Sequence, residues 1–262
     1  MLKVREGFDD LVAGLRTVEF WAFMAHHEMR QRYRRSYIGP FWVTITTGVM
    51  VAAIGTIYGG LLGADTVHYV PHLAVSFVLW TFTSQAILDG CQMFLEASGA
   101  MRQMKTPRST FLFKIIYRNV LLLLHNAAVV VAVFLIFQVA PGWPWLLVPL
   151  ALALLIANIG WMALVAGILC ARFRDIPPIV GSSLQLLFFA TPVMWLPASL
   201  PQHLNVIMLN PFFHLLGIVR EPLLGRWPEP LSVGICVAMA VFGWAVAIVL
   251  LGRTRKRIVF WI

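Results

Sequence analysis

Charge-free stretches dominate the pattern of this chain. They run from Phe41 to Ala64, Thr66 to Leu88, Asn119 to Ala171, Ile176 to Val219 and Leu231 to Gly252, and a helix that crosses a bilayer needs about 20 such residues. The third stretch is too long for one crossing, and Pro141-Gly142-Trp143-Pro144 near its middle divides it into two helices joined by a tight turn. The fourth is interrupted by Pro192, Pro197, Pro201 and Pro211, and its second half carries His203, Asn205, Asn210 and His214. Ahead of all of these, Phe8, Leu11, Val12, Leu15, Val18, Ala22 and Ala25 recur at helical spacing opposite Asp9, Asp10, Arg16, Glu19 and His26. That pattern predicts an amphipathic helix lying along a membrane interface.

Basic residues in short loops mark the cytoplasmic side. Six crossings, at about 41–63, 69–90, 117–139, 145–169, 178–198 and 230–252, with the N terminus inside, leave only Arg220 and Arg226 of the 20 lysines and arginines outside. A seventh crossing would carry Arg253, Arg255, Lys256 and Arg257 outward. The predicted fold is therefore an all-α integral membrane protein: six transmembrane helices, an N-terminal amphipathic interface helix, cytoplasmic termini, and a periplasmic re-entrant half-helix segment at 199–226 between spans five and six. Residues 1–39 make the interface helix and a basic elbow, and 40–262 a single membrane domain. In the elbow, Arg30 to Arg35 stop the helix at the headgroups, and Gly39-Pro40 turns the chain into the bilayer.

Composition agrees, with 60% hydrophobic and 12% charged residues, against about 25% charged in a soluble domain. The net charge of +9 follows from basic residues held at an anionic cytoplasmic surface, and calls for no nucleic acid. The first 40 residues hold acids and no small-residue cleavage site, so they do not read as a removable signal peptide. Cys91, Cys170 and Cys236 are odd in number and far apart, which suits packing rather than a zinc site or a redox pair.

Candidate chemistry is sparse. Of eleven acids, five lie in the first 28 residues and the others near span ends, and no Asp-x-x-Asp pair or Ser-His-Asp arrangement appears, which argues against an enzyme. His68 and His72 have the i, i+4 spacing of a metal pair, but Pro71 stands between them and only Asp65 is near, so no metal site is expected. His125-Asn126 in the third span predicts a bond to another helix or a polar lining. There is no Gly-x-x-x-x-Gly-Lys-Ser/Thr loop, hence no P-loop ATPase in this chain, and no intramembrane acid relay for a proton-driven carrier. A transporter of this composition needs energy from a partner.

Arg32-Tyr33, Ser36 and Gly39-Pro40 with Trp42 resemble the start of the polysaccharide-export branch of the type 2 ABC transporter permeases. Arg172-Phe173-Arg174-Asp175 resembles that family's short cytoplasmic loop, Thr191-Pro192-Val193 its Ser-Pro-Val element, and Asn210-Pro211 followed by Arg220 its outer segment. The chain departs from the family at Ile38 and Phe41, where Leu-Gly-Pro-Leu is commoner, and at Thr106-Pro107-Arg108, where Phe-Pro-Arg is common.

The resemblance implies a homodimeric channel in a bacterial inner membrane, paired with two copies of a separate ATPase subunit that uses ATP and Mg. Its substrate would be an undecaprenyl-diphosphate-linked glycan such as O antigen, with capsule and teichoic acid exported by near relatives. It also implies a coupling helix in the 95–110 loop, where Met101, Arg102, Met104, Lys105 and Arg108 would meet the ATPase. Arg30, Arg34 and Arg35 are candidates for holding the carrier diphosphate, since forked guanidiniums bind such groups bidentately. Tyr58, Trp80, Phe82, Phe188, Phe189 and Trp195, with Trp42, are candidate platforms for sugar faces. Pro192, Asn210, Pro211 and Arg220 mark a candidate outer gate, with His203, Asn205 and His214 facing the exit. A type 2 permease for a smaller lipid or drug, and a membrane enzyme acting on polyprenyl-linked sugars, stand as alternatives.

Overall fold

The computed structural model describes residues 2–34, 36–39, 41–61, 65–197 and 207–262, which form helices and no strand. Two helices come first, α1 (Leu2–Arg16) and α2 (Val18–Tyr33). They are followed by α3 (Phe41–Leu61), α4 (Thr66–Glu96), the short α5 (Ser98–Gln103) and α6 (Ser109–Ile136). A 3-10 turn at Trp143–Leu147 leads into α7 (Val148–Arg172), and α8 (Ile176–Ala190), α9 (Pro211–Leu223), α10 (Pro230–Thr254) and α11 (Ile258–Trp261) complete the chain.

Five helices among the described residues are long and apolar enough to cross a membrane: α3, α4, α6, α7 with its leading turn, and α10. The crossing predicted at 178–198 is not one continuous helix. α8 has 15 residues, about 22 Å at 1.5 Å per residue, and it stops at Ala190 because Pro192 has no N–H to continue the ladder. The third span also begins earlier than predicted. Lys114, ahead of the predicted span at 117–139, and Arg118, at its edge, both lie within α6 and are buried.

One interface helix was expected and two are present, broken at Thr17, whose Oγ1 donates to the Gly14 carbonyl at 2.7 Å. α1 docks on the end of α10. A Cβ on Gly7 would lie 2.2 Å from the Ile248 oxygen, and one on Gly252 would lie 1.7 Å from the Lys3 oxygen. Arg255 Nη2 pairs with Glu6 Oε2 at 3.0 Å, so the N-terminal helix and the basic cluster after α10 occupy the same end of the molecule. Val4, Phe8, Leu15 and Val18 stay exposed as an apolar stripe.

At the centre, α4 packs between α6 and α7. Helices in lipid associate by close packing rather than by escape from water, and small residues permit it here: a Cβ on Gly90 would lie 2.7 Å from the Ala163 Cα, and one on Gly167 would lie 2.6 Å from the Gly90 oxygen. Asn158 Nδ2 donates to the Cys236 carbonyl at 3.1 Å and Trp244 Nε1 to the Ala157 carbonyl at 3.0 Å, joining α7 to α10. The three cysteines are buried and free.

Candidate functional site

One end of the bundle is built around Asp10. The first backbone N–H groups of α6 have no partner within the helix, and Asp10, from α1, supplies one: Oδ1 accepts from the Ser109 N–H at 2.9 Å and Oδ2 from the Arg108 N–H at 3.2 Å, while Ser109 Oγ donates to the Asp10 carbonyl at 2.6 Å. A carboxylate is favourable at a helix N-terminus. The segment leading to this cap carries the predicted coupling residues. Met101 is buried, Met104 and Lys105 are exposed, and Arg102 Nη2 donates to the Ile262 oxygen at 2.6 Å. Burial pulls the Arg108 guanidinium below its usual value, and the Asp10 charge partly offsets that. Arg172 stacks on both Phe173 and Trp261, at 5.2 and 5.4 Å from the ring centroids.

A second cluster ties α2 to the bundle. Ala25, buried, and Trp21 face α6, with Trp21 edge-on to Tyr117 at 5.3 Å. One turn further, Glu28 pairs with Lys114 and, at 2.6 Å, with Arg118 Nη1. Arg118 Nη2 also reaches Asp89 of α4 at 2.8 Å, and Asn119 Nδ2 donates to the same Asp89 oxygen at 2.7 Å. These charges explain why α6 tolerates two cations inside its span. Sequence reading missed Asp10, Glu28, Asp89, Lys114 and Arg118. The available signal was the i, i+4 spacing of Lys114 and Arg118 on one helical face.

In the elbow, the Gly39 N–H donates to Ser36 Oγ at 3.1 Å and Gly39 adopts φ +62°, a conformation glycine takes without penalty. Arg30, Arg32, Arg34 and Trp42 are exposed. Arg35, Pro40 and the side chain of Tyr33 lie outside the described residues, as do His203, Asn205 and the rest of 198–206.

Near the other end of α4, the separated proline motifs converge. Asn210 caps α9, its Oδ1 accepting from the Phe212 N–H at 3.0 Å, with Pro211 in the first turn where no N–H is needed. Its Nδ2 donates to Thr191 Oγ1 at 2.8 Å. The Pro192 carbonyl, freed by the end of α8, accepts from Arg220 Nη1 at 2.9 Å and from His72 Nε2 at 3.2 Å. Arg220 is buried and also donates to Glu221 Oε1 at 3.1 Å and Ser76 Oγ at 3.3 Å. Tyr69 Oη donates to the Met194 carbonyl at 2.6 Å. His214 does not face an exit: it is buried, with Nε2 donating to the Met208 carbonyl and Nδ1 2.8 Å from Ser232 Oγ. The spaced pair His68 and His72 is divided, because His68 is exposed and bound to Asp65 at 2.7 Å while His72 is committed to Pro192. That bond holds the Asp65 carboxyl below the usual carboxylate range. His125 bonds its own helix through the Leu121 carbonyl at 2.7 Å.

The predicted aromatic platforms separate by burial. Trp80 and Phe82 lie inside the bundle, Trp80 packed 5.7 Å from Phe188 and 5.5 Å from Phe212. They offer no surface to a conduit, because α4 is the central helix. Tyr58 and Phe189 are exposed, and Phe188 and Trp195 are half-buried.

An all-helical bundle with five helices long and apolar enough to cross a membrane, capped at one end and broken by proline at the other, is an integral membrane protein. Residues 19–224 match the ABC-2 type transporter family, and the chain belongs to it. In that family ATP hydrolysis resides on a separate subunit. The chain is similar to the O-antigen export system permease protein RfbA of Myxococcus xanthus, 23% identical over 201 residues that cover 74% of this chain and 75% of that protein. It is also similar to an O-antigen export system permease protein RfbA of Klebsiella pneumoniae, 18% identical over 201 residues that cover 76% and 77%.

Proposed function

We propose that this chain, as a homodimer in a bacterial inner membrane, exports an undecaprenyl-diphosphate-linked polysaccharide, most simply an O antigen, driven by two copies of a separate ATPase that uses ATP and Mg. One observation carries the transport mechanism: Asp10 caps α6 while Glu6 of the same helix holds Arg255 at the end of α10. A push on the cytoplasmic platform therefore reaches two spanning helices through direct polar contacts, as coupling requires. The glycan is supported by the printed names of the relatives.

The same contacts support six crossings. α1 meets the end of α10 on one side of the molecule, which an even number of crossings satisfies, so α8 with the 191–197 turn makes the sixth. The segment around 199–226 then re-enters from the outside, with Pro192, Asn210, Pro211 and Arg220 as its gate. Arg30, Arg34 and Arg35 take the diphosphate at the cytoplasmic mouth, and Tyr58, Phe188, Phe189 and Trp195 offer surfaces to the sugar.

The deciding experiment co-expresses the chain with the ATPase encoded beside its gene and compares wild type with a variant in which Arg102, Lys105 and Arg108 are changed to glutamate. The expected result is a stable complex whose ATPase activity and glycan export are lost or uncoupled in the variant. Absence of a complex with the wild type sinks the ATPase reading. Export that survives charge reversal at Arg30, Arg34 and Arg35 removes the diphosphate role.

A further inference from the structure

A cavity of about 810 Å³ opens at the cytoplasmic end, between α1, the 104–108 segment and the chain just past α10. Asp9, Asp10, Lys105, Arg108, Arg255 and Lys256 supply its charges, and they do not balance. Asp10 is engaged by the Arg108 and Ser109 N–H groups, and Glu6 takes both terminal nitrogens of Arg255, Nη1 through its carbonyl and Nη2 through its carboxylate. Among the described residues, neither Lys105 nor Lys256 has a carboxylate in ion-pair range. Arg108 Nη1 and Arg255 Nε are buried and have no hydrogen-bond partner, and a buried donor left unpaired is costly and uncommon. Positive loop charge alone explains exposed lysines but not two buried donors without acceptors.

The opening faces water rather than lipid. Asp9 and Ala13, which line it, sit on the side of α1 turned away from the exposed stripe of Val4, Phe8 and Leu15. It also adjoins the loop assigned to the ATPase. We propose that this cavity receives an Asp or Glu side chain of the ATPase subunit, held by Lys105 and Lys256, with Arg108 Nη1 and Arg255 Nε as the donors behind them that still want an acceptor. The proposal rests on the ATPase reading above. Ammonium and guanidinium donors take a carboxylate in charge-assisted hydrogen bonds, stronger than those to a neutral acceptor. One acidic residue seated there would brace α1, the approach to α6 and the end of α10 together.

The test uses the assembled complex with its ATPase. A carbodiimide joins a lysine amine to a carboxyl group as an amide, the water being taken up by the reagent as a urea. Mass spectrometry is expected to find Lys256 or Lys105 joined to an Asp or Glu of the ATPase. Lys256→Glu is expected to weaken ATPase binding at least tenfold and to flatten its dependence on salt, whereas Lys256→Arg should bind like wild type and lose only the crosslink at that position. If Arg102→Glu breaks the complex while Lys256→Glu binds unchanged and no such crosslink forms, the ATPase reading survives and this site is wrong. If Lys256→Glu spares the ATPase but weakens association with phosphatidylglycerol vesicles, the cavity serves a lipid phosphate and the proposal is overturned. If the wild type binds no ATPase at all, the site falls together with the reading on which it rests. Crosslinking of the wild type decides the matter even where a variant fails to fold.

Discussion

Arg220 Nη1 lies 2.9 Å from the carbonyl oxygen of Pro192, although 28 residues separate them. A proline that ends a helix inside a membrane protein leaves a carbonyl with no backbone donor, and such a group must find a partner within the protein. A buried arginine is a demanding solution, since its own donors then need acceptors. Ser76 and Glu221 supply two of them.

Replacing Arg220 with alanine therefore removes a charged donor from two buried acceptors. Each such bond contributes about 1.5–3 kcal/mol, and the loss should be about 3 kcal/mol. Thermal unfolding of the detergent-purified protein should show it. Arg220→Lys keeps the charge but not the fork, and should recover less than half. An unchanged melting curve in both variants would mean that the outer hub is not held by this residue.

Among the described residues, Glu28 is the carboxylate of α2 that forms ion pairs with α6, and it faces two cations. Breaking a buried pair on one side costs roughly 3–5 kcal/mol, and partial exposure of Glu28 reduces this to about 2 kcal/mol. Glu28→Gln should speed amide exchange across 18–33 while leaving α7 protected. Adding Lys114→Met should restore part of that protection, because it removes one of the cations left unpaired.

Asp10 holds the first turn of α6 from another helix. Asp10→Ala should cost about 1–2 kcal/mol, the usual loss for a cap, and expose the 108–112 amides to exchange. Asp10→Asn should show a smaller effect, since one acceptor oxygen remains. The neighbouring Asp9→Ala serves as the control, and equal exchange in both variants would count against the cap.

Close packing of α4 on α7 gives a further test. A methyl group at Gly90 would overlap the Ala163 backbone, whereas nothing lies within 4 Å of the Cβ position at Gly217. Overpacking costs typically 1–3 kcal/mol. Gly90→Ala should destabilise by about 2 kcal/mol, and Gly217→Ala should leave melting unchanged or raise it slightly.

Much of the fold was legible because lipid imposes a simple rule: spanning segments must be long and uncharged. That rule located α3, α4, α6, α7 and α10 within a few residues at most of their ends. It failed at two kinds of place. The span was expected to start at about 117 because charge normally ends a span, which left Lys114 outside it and Arg118 at its edge, and Glu28 and Asp89 from other helices make their burial tolerable. The stretch at 178–198 read as one helix because its apolar length suggested it, although Pro192 dictates a stop at Ala190.

The candidate site divides along the same line. Arg102, Lys105 and Arg108 could be picked out as one basic loop, and Thr191-Pro192, Asn210-Pro211 and Arg220 as polar or helix-breaking positions in an apolar background. Their meeting could not, because hydrogen bonds between residues 28 positions apart leave no local pattern. Trp80 and Phe82 looked as exposed as Tyr58 and Phe189, since a hydrophobic helix shows no amphipathic face to say which side is covered.

Hydrophobic length and charge act locally along the chain, so the order of residues is enough to place this protein in a membrane and to mark where its helices can run. Which charges are paired, which carbonyls are rescued and which aromatics are buried emerge from the folded arrangement alone. Those outcomes depend on helices far apart in sequence being brought within hydrogen-bonding distance.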